Sequence, residues 1–216
     1  MIKALVLLIA SFVPIANATP DPAVVRVEAK GPLTASYGSG TCIAVSNGVG
    51  LIITANHTFA TVIEKNYTVE FPELGKIEAK LVGVNVRKDL AALTFQGTAP
   101  TVPLATENPK LGDEVVVSGY GSSGKSTYKA SVGLINSVSR YVEGWYTVDA
   151  EARSGDSGGP VMADGHLVGV LWGSARGECY FTPPSILRDF ILGLDVPVSL
   201  KEAALQSPDY VIFGDD

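Results

Sequence analysis

The feature that most constrains this chain is a succession of twelve short runs of β-forming residues, each closed by a turn signal. Six lie in the first half: Val24–Glu28, Cys42–Val45, Leu51–Thr54, Tyr67–Phe71, Ile77–Val84 and Leu90–Phe95. Six follow: Glu114–Gly119, Ala130–Ser137, Trp145–Asp149, Pro160–Met162, Leu167–Trp172 and Cys179–Thr182. Branched and aromatic side chains favour strands, and some runs alternate apolar and polar residues, as in Val148-Asp149-Ala150-Glu151. Asn47-Gly48 and Asp164-Gly165 each sit between two runs and predict tight hairpins, because both central residues tolerate positive φ. Helical spacing appears only late. Pro183-Pro184 precedes a segment with apolar residues at 186, 187, 190 and 191, and Leu200–Leu205 has a shorter helical pattern. Charged residues are 18% of the chain, beside 23 Gly and 13 Pro, which suits a turn-rich all-β protein. At 46% hydrophobic, the chain can fill a substantial core. The pattern points to all-β sandwiches or barrels, and its two halves of about six strands each suggest two six-stranded antiparallel barrels, over 19–105 and 106–183, with a C-terminal helix over 184–194 and an acidic tail over 195–216. Three prolines within Thr98–Lys110 suggest the linker.

Residues 1–18 read as a leader rather than as fold. Lys3 supplies a positive start, Ala4 to Pro14 is apolar, and Ala16-Asn17-Ala18 is a small-x-small cleavage pattern. The run is shorter than the roughly 18 residues a bilayer span needs, so cleavage after Ala18 is expected, with no stable membrane anchor afterwards. The implied location is secreted or periplasmic. Losing Lys3 leaves 15 basic against 22 acidic residues, moving the formal charge from −6 to −7. An acidic product without clustered Lys and Arg argues against nucleic-acid binding. Nothing in the sequence demands more than a monomer.

The sharpest motif is Gly155-Asp156-Ser157-Gly158-Gly159-Pro160. A hydroxyl is a weak nucleophile at neutral pH; it needs exposure, a base and donors for the developing oxyanion. Glycines flanking a serine let the backbone bend tightly and turn N–H groups toward that oxygen. Elsewhere stand Thr54-Ala55-Asn56-His57 and Asp89-Leu90-Ala91-Ala92-Leu93, with gaps of 32 and 68 residues from His57 to Asp89 to Ser157.

These segments resemble the histidine, aspartate and serine motifs of the chymotrypsin-fold (trypsin-like) serine proteases, in that family's order. Val170-Leu171-Trp172-Gly173 is similar to its substrate-pairing strand. The resemblance implies a peptidase acting on protein or peptide substrates without a cofactor. It assigns Ser157 as nucleophile, His57 as general base and acid, Asp89 as orienting carboxylate, and the N–H groups of Gly155 and Ser157 as oxyanion donors. It makes Leu171, Trp172 and Gly173 substrate-binding. Glu151, six residues before Ser157, falls near the base of the primary pocket, where it would favour Lys or Arg; the alternative is that it points to solvent or pairs with Arg153. His166 is given no role.

The chain departs from animal trypsins and is closer to bacterial, viral or HtrA-like branches. Its predicted mature end, Thr19-Pro20-Asp21, is not one that inserts beside the aspartate preceding serine, so Asp156 needs another partner; Arg140 and Arg153 are the candidates. No cysteine stands beside His57. Cys42 and Cys179 could pair in an exported protein, but by the resemblance they fall in different barrels, which favours two separate buried thiols. No Cys/His spacing suggests a metal.

Two rival readings stand beside this one. A protease-like binding protein would keep the fold and lose triad residues, yet all three are present. Gly119-Tyr120-Gly121-Ser122-Ser123-Gly124-Lys125-Ser126 fits a P-loop pattern, but the β-branched, glycine-containing Thr127–Gly133 that follows disfavours the helix such a loop requires.

Overall fold

The computed structural model describes residues 14–15, 19–62, 65–123, 127–138 and 145–206. The leader apart from Pro14–Ile15, the end of the P-loop-like segment, Arg140 and the last ten residues of the tail lie outside them.

Among the described residues, twelve strands follow residue 19: β1 (Val24–Lys30), β2 (Ala35–Ser46), β3 (Val49–Ala55), β4 (Asn66–Phe71), β5 (Gly75–Asn85), β6 (Leu90–Gln96), β7 (Glu114–Gly119), β8 (Lys129–Val138), β9 (Tyr146–Val148), β10 (Pro160–Ala163), β11 (His166–Ala175) and β12 (Glu178–Thr182). The two-residue strand Pro14–Ile15 pairs with β8. The first six close into an antiparallel barrel in the order β1-β2-β3-β6-β5-β4. The next six form the ring β8-β9-β12-β11-β10-β7, closed by the β7–β8 ladder. Each barrel thus repeats one strand order.

The period-2 geometry of strands explains why several runs are apolar on consecutive residues. On β3, Ile52 enters the first barrel's interior with Val27, Phe71 and Phe95, while Leu51 and Ile53 face the other way. There they meet Leu90, Leu104, Leu167 and Val170, forming a second core between the barrels. Both faces of β3 are therefore buried, which is the usual meaning of an unbroken apolar strand. Val117, Val148, Leu171 and Phe181 fill the second barrel. Truncating one such buried Leu or Ile to Ala typically costs about 2–5 kcal/mol.

Both predicted hairpins have positive φ at their two central residues, 52° and 74° at Asn47 and Gly48, and 48° and 75° at Asp164 and Gly165. The largest boundary difference is β2, which starts at Ala35 rather than Cys42. Ala35-Ser36-Tyr37-Gly38-Ser39-Gly40 has few β-formers; pairing with β1 along its whole length makes it a strand. The linker is fixed by the Val102 N–H donating to the Cys42 carbonyl, and by an exchange of bonds around Leu167. Helix α1 (Pro184–Leu192) starts with proline in its first turn and buries Leu187, Phe190 and Ile191 in the inter-barrel core. A second helix, α2 (Val198–Leu205), adds Leu200 and Ala204.

Candidate active site

The pairing of β3 with β6 creates the first half of the site. Ala55 lies opposite Leu90, so the residues just past β3 and just before β6 emerge at the same end. The ladder continues one step, with the Asn56 N–H donating to the Asp89 carbonyl at 3.0 Å. The chain then turns through a single 3-10 turn, Asn56–Phe59. Asp89 holds φ at 53°, a left-handed conformation that Asp adopts more readily than most side chains. Its carboxylate meets His57 twice. The His57 main-chain N–H donates to Oδ1 at 2.8 Å, and ring Nδ1 lies 2.5 Å from Oδ2. The hydrogen bond to Asp89 raises the His57 pKa; burial partly opposes it and the carboxylate's charge adds to the rise. A proton on Nδ1 facing Asp89 leaves Nε2 as the free lone pair.

The serine loop comes from the second barrel and is pressed onto β3. The Ser39 N–H donates to the Ser157 carbonyl at 2.8 Å, and the Gly158 N–H donates to the Leu171 carbonyl at 2.7 Å. A Cβ at Gly158 would lie 2.2 Å from both the Ser39 carbonyl oxygen and Thr54 Oγ1, so only glycine fits, and its φ of 84° demands glycine too. A Cβ at Gly38 would lie 2.6 Å from Thr58 Cγ2 and 3.1 Å from the Ser157 carbonyl oxygen. The loop that bears Ser157 and the residue after His57 therefore converge on one point of β2. Ser157 Oγ makes no hydrogen bond within the described residues. Among them the N–H groups of Gly155 and Ser157 also have no partner.

Asp156 points away from solvent, at 4% exposure. Arg153 is its counter-charge. Its Nη2 donates to Oδ1 at 2.9 Å, its Nε to Oδ2 at 3.1 Å and its main-chain N–H to Oδ2 at 2.6 Å. The Gly121 N–H supplies a fourth bond, at 2.9 Å. Arg153 Nη2 also donates to the carbonyls of Gly119 and Thr127, tying the loop to the ends of β7 and β8. The other candidate, Arg140, lies outside the described residues.

The proposed substrate residues divide. Leu171 is buried in the second barrel, and its main-chain N–H and carbonyl are both used by Gly159 and Gly158. Trp172 is the extra residue of a β-bulge between Leu171 and Gly173. Its ring lies between those of Trp145 and Tyr180, at centroid distances of 4.4 and 5.3 Å. Above Gly173 the space is open, the nearest atom to a Cβ there being Tyr180 Cδ2 at 4.0 Å. Glu151 is exposed and lines a 430 Å³ cavity with Lys129, Arg153, Asp156 and Arg176.

Cys42 and Cys179 are separate buried thiols in different barrels, as the resemblance implies. The P-loop-like segment leads into strand β8 and not into a helix. His166 sits at the Asp164-Gly165 hairpin with Nδ1 2.8 Å from the Asp164 carbonyl, away from this site. Among the described residues no cluster of three metal-ligating side chains occurs, and no helix is long and apolar enough to cross a membrane. Sequence reasoning missed Ser39. Its signal was the two glycines around it, which in a strand mark a close backbone approach.

Comparison with known proteins agrees with this architecture. A family model described as a trypsin-like peptidase domain matches residues 38–170. A "Probable periplasmic serine endoprotease DegP-like" of Pseudomonas fulva is 31% identical over 169 residues, covering 71% of this chain and 34% of that protein. The chain thus spans about a third of that relative's length. "Trypsin alpha" of Drosophila erecta is 28% identical over 192 residues, covering 70% of this chain and 74% of the relative. Among solved structures, the Rv3671c protease of M. tuberculosis in its active form superposes with a TM-score of 0.68 at 25% identity, covering 86% of each chain. The serine endoprotease from Yersinia pestis gives a TM-score of 0.68 at 26% identity, covering 78% of this chain and 61% of the other. With its twin barrels and a matched family segment that takes in the histidine, aspartate and serine motifs, this chain belongs to the trypsin-like peptidase family.

Proposed function

We propose that the protein is an exported serine endopeptidase that hydrolyses peptide bonds through an acyl-enzyme on Ser157. The observation that carries this reading is the double hydrogen bond from His57 to Asp89, set beside the loop that bears Ser157. Ser157 Oγ attacks the scissile carbonyl while its proton passes to His57 Nε2. The tetrahedral oxyanion accepts hydrogen bonds from the N–H groups of Gly155 and Ser157. The intermediate then collapses, the C–N bond breaks, and His57 gives the proton to the leaving amine. Water repeats the sequence and frees Ser157. Asp89 keeps the imidazole in the reactive tautomer and stabilises its protonated form.

Substrate is read on the second barrel. Gly173 leaves open space beside Trp172 for a substrate main chain, and Leu171 anchors that strand to the serine loop. Glu151, with no ion-pair partner among the described residues, gives the adjoining cavity a carboxylate for a Lys or Arg side chain. The leader pattern, together with the periplasmic relative, supports action outside the cytoplasm.

The test is labelling of purified mature protein with a fluorophosphonate probe, beside Ser157→Ala. Labelling that disappears in the variant is expected. A folded wild-type protein that stays unlabelled would overturn the catalytic reading. A peptide-library profile with no preference for Lys or Arg would remove Glu151 as a specificity residue.

A further inference from the structure

Ser39 lies in the first barrel, yet it touches the serine loop at two carbonyls, those of Gly155 and Ser157. Its hydroxyl donates to the Gly155 carbonyl at 3.0 Å and accepts the Tyr120 N–H at 2.9 Å. Its main-chain N–H donates to the Ser157 carbonyl at 2.8 Å, and its own carbonyl accepts from Thr54 Oγ1 at 2.6 Å. It is fully buried. Its four bonds join three segments: two reach the serine loop at Gly155 and Ser157, one reaches Tyr120 just past β7, and one reaches Thr54 on the strand leading to His57.

The pattern fixes one peptide unit in particular. The peptide between Gly155 and Asp156 is held at its oxygen by Ser39 Oγ and at its N–H by the Arg153 carbonyl, at 3.0 Å. Two residues on, the Ser157 carbonyl is held by Ser39 again. The two N–H groups without partners, those of Gly155 and Ser157, lie around these clamped carbonyls. Gly155 has φ at 87°, and a Cβ on it would lie 2.1 Å from Gly121 C and Ser122 N. A glycine has a wide choice of rotations. The Ser39 hydroxyl and the Asp156 anchors restrict that choice.

We propose that Ser39 is a positioning residue of the reaction, holding the Gly155 N–H in line with the Ser157 N–H so that both can meet the oxyanion. The proposal rests on the reading of Ser157 as nucleophile and of these two N–H groups as donors. Preorganised donors stabilise charge as it develops because they need no reorientation during the step. The Gly155 N–H belongs to the preceding peptide, which hinges on the clamped unit at the Gly155 Cα; loosening that hinge would leave substrate binding normal and lose transition-state stabilisation. The signature is therefore a fall in kcat with little change in KM.

The test uses the full chain. Wild type and Ser157→Ala are first compared by fluorophosphonate labelling; absence of wild-type labelling would reject the catalytic reading itself and is read separately. Given labelling, Ser39→Ala is expected to lower kcat about 10- to 100-fold, less than the 10²–10³ typical of deleting an oxyanion donor outright. Its KM should stay within about twofold, and its affinity for a peptidyl boronate, which forms a tetrahedral adduct on serine, should fall by the same factor as kcat/KM. Val69→Ala, in the first-barrel core, serves as the comparator for lost stability and should keep kcat. If Ser39→Ala does not fold, Ser39→Cys keeps the size and a weak donor, and should give a smaller but measurable loss in kcat. A folded Ser39→Ala or Ser39→Cys with wild-type kcat and boronate affinity would overturn the proposal. So would a loss of kcat no greater than that of Val69→Ala at equal loss of Tm.

Discussion

Asp89 holds His57 at two points, accepting its main-chain N–H on Oδ1 and facing its ring Nδ1 with Oδ2. The first bond fixes where the histidine sits and the second fixes which ring nitrogen carries the proton. Both raise a testable matter of pH. Catalysis as a base requires neutral His57, and the bond to Asp89 raises its pKa above the ordinary 6.5. The acid limb of kcat/KM should therefore fall above pH 6.5, and Asp89→Asn should move it down while lowering kcat about 10⁴-fold. The stability effect has the opposite sense. A raised histidine pKa stabilises the folded state below the unfolded value, and that contribution fades as pH rises through the folded value. A wild-type limb at or below 6.5 would contradict this assignment.

Arg153 is the charge partner of a buried carboxylate, and losing it should be costly. Arg153→Ala leaves Asp156 with only main-chain donors, those of Gly121 and residue 153. Breaking a buried pair by removing one partner typically costs about 3–5 kcal/mol, and the surviving donors place the expected loss at about 3 kcal/mol. Arg153→Lys supplies charge without the fork that spans both carboxylate oxygens, so it should recover only part of this. Urea unfolding of the three proteins measures it; equal midpoints would dismiss the pair as a structural element.

Glycines at positive φ are not equivalent. Gly165→Ala meets nothing within 4 Å and should cost about 1–2 kcal/mol, from the left-handed conformation alone. Gly158→Ala adds overlap with the carbonyl oxygen of Ser39, which cannot rotate aside. A loss of at least about 3 kcal/mol and of fluorophosphonate labelling is expected. Chemical denaturation beside a labelling gel distinguishes the two, and similar behaviour of both variants would refute the close approach.

Burial pushes the thiols of Cys42 and Cys179 up to about 12, and the charges of Asp156 and Glu151 add to the effect at Cys179. A thiol so far from ionisation is a poor nucleophile near neutral pH. A disulfide-exchange reagent should leave the native protein unmodified and titrate two thiols after denaturation. Rapid modification of folded protein, or a disulfide in the mature chain, would show the opposite.

The twelve strands were legible because each is a short apolar run with a turn after it, and local chemistry sets that pattern. Asp164-Gly165 and Asn47-Gly48 are residue types that tolerate positive φ, and they adopt it in the fold. The beginning of β2 was not legible. Ala35 to Gly40 has little strand propensity of its own, and pairing with β1, far from a local preference, makes it extended. The three-part motif was visible as spacing, but spacing could not reveal that Leu171 spends its main-chain groups on the serine loop, or that Trp172 sits on a bulge between two rings.

What the sequence determined by itself is the alternation of strand and turn, the order and spacing of the motifs that make His57, Asp89 and Ser157 the candidate triad, and the need for a charge near Asp156. These follow from residue type and local order along the chain. Only the tertiary structure decided that Arg153 meets that carboxylate, and that Ser39 joins loops more than a hundred residues away. The Ser39 contacts depend on how two closed barrels pack against each other, whereas Arg153 and Asp156 stand three residues apart within one loop. Side chains distant in sequence become neighbours through the burial of Leu51, Ile53, Leu167 and Val170 between the barrels, and no local pattern encodes which polar groups that burial brings within hydrogen-bonding reach.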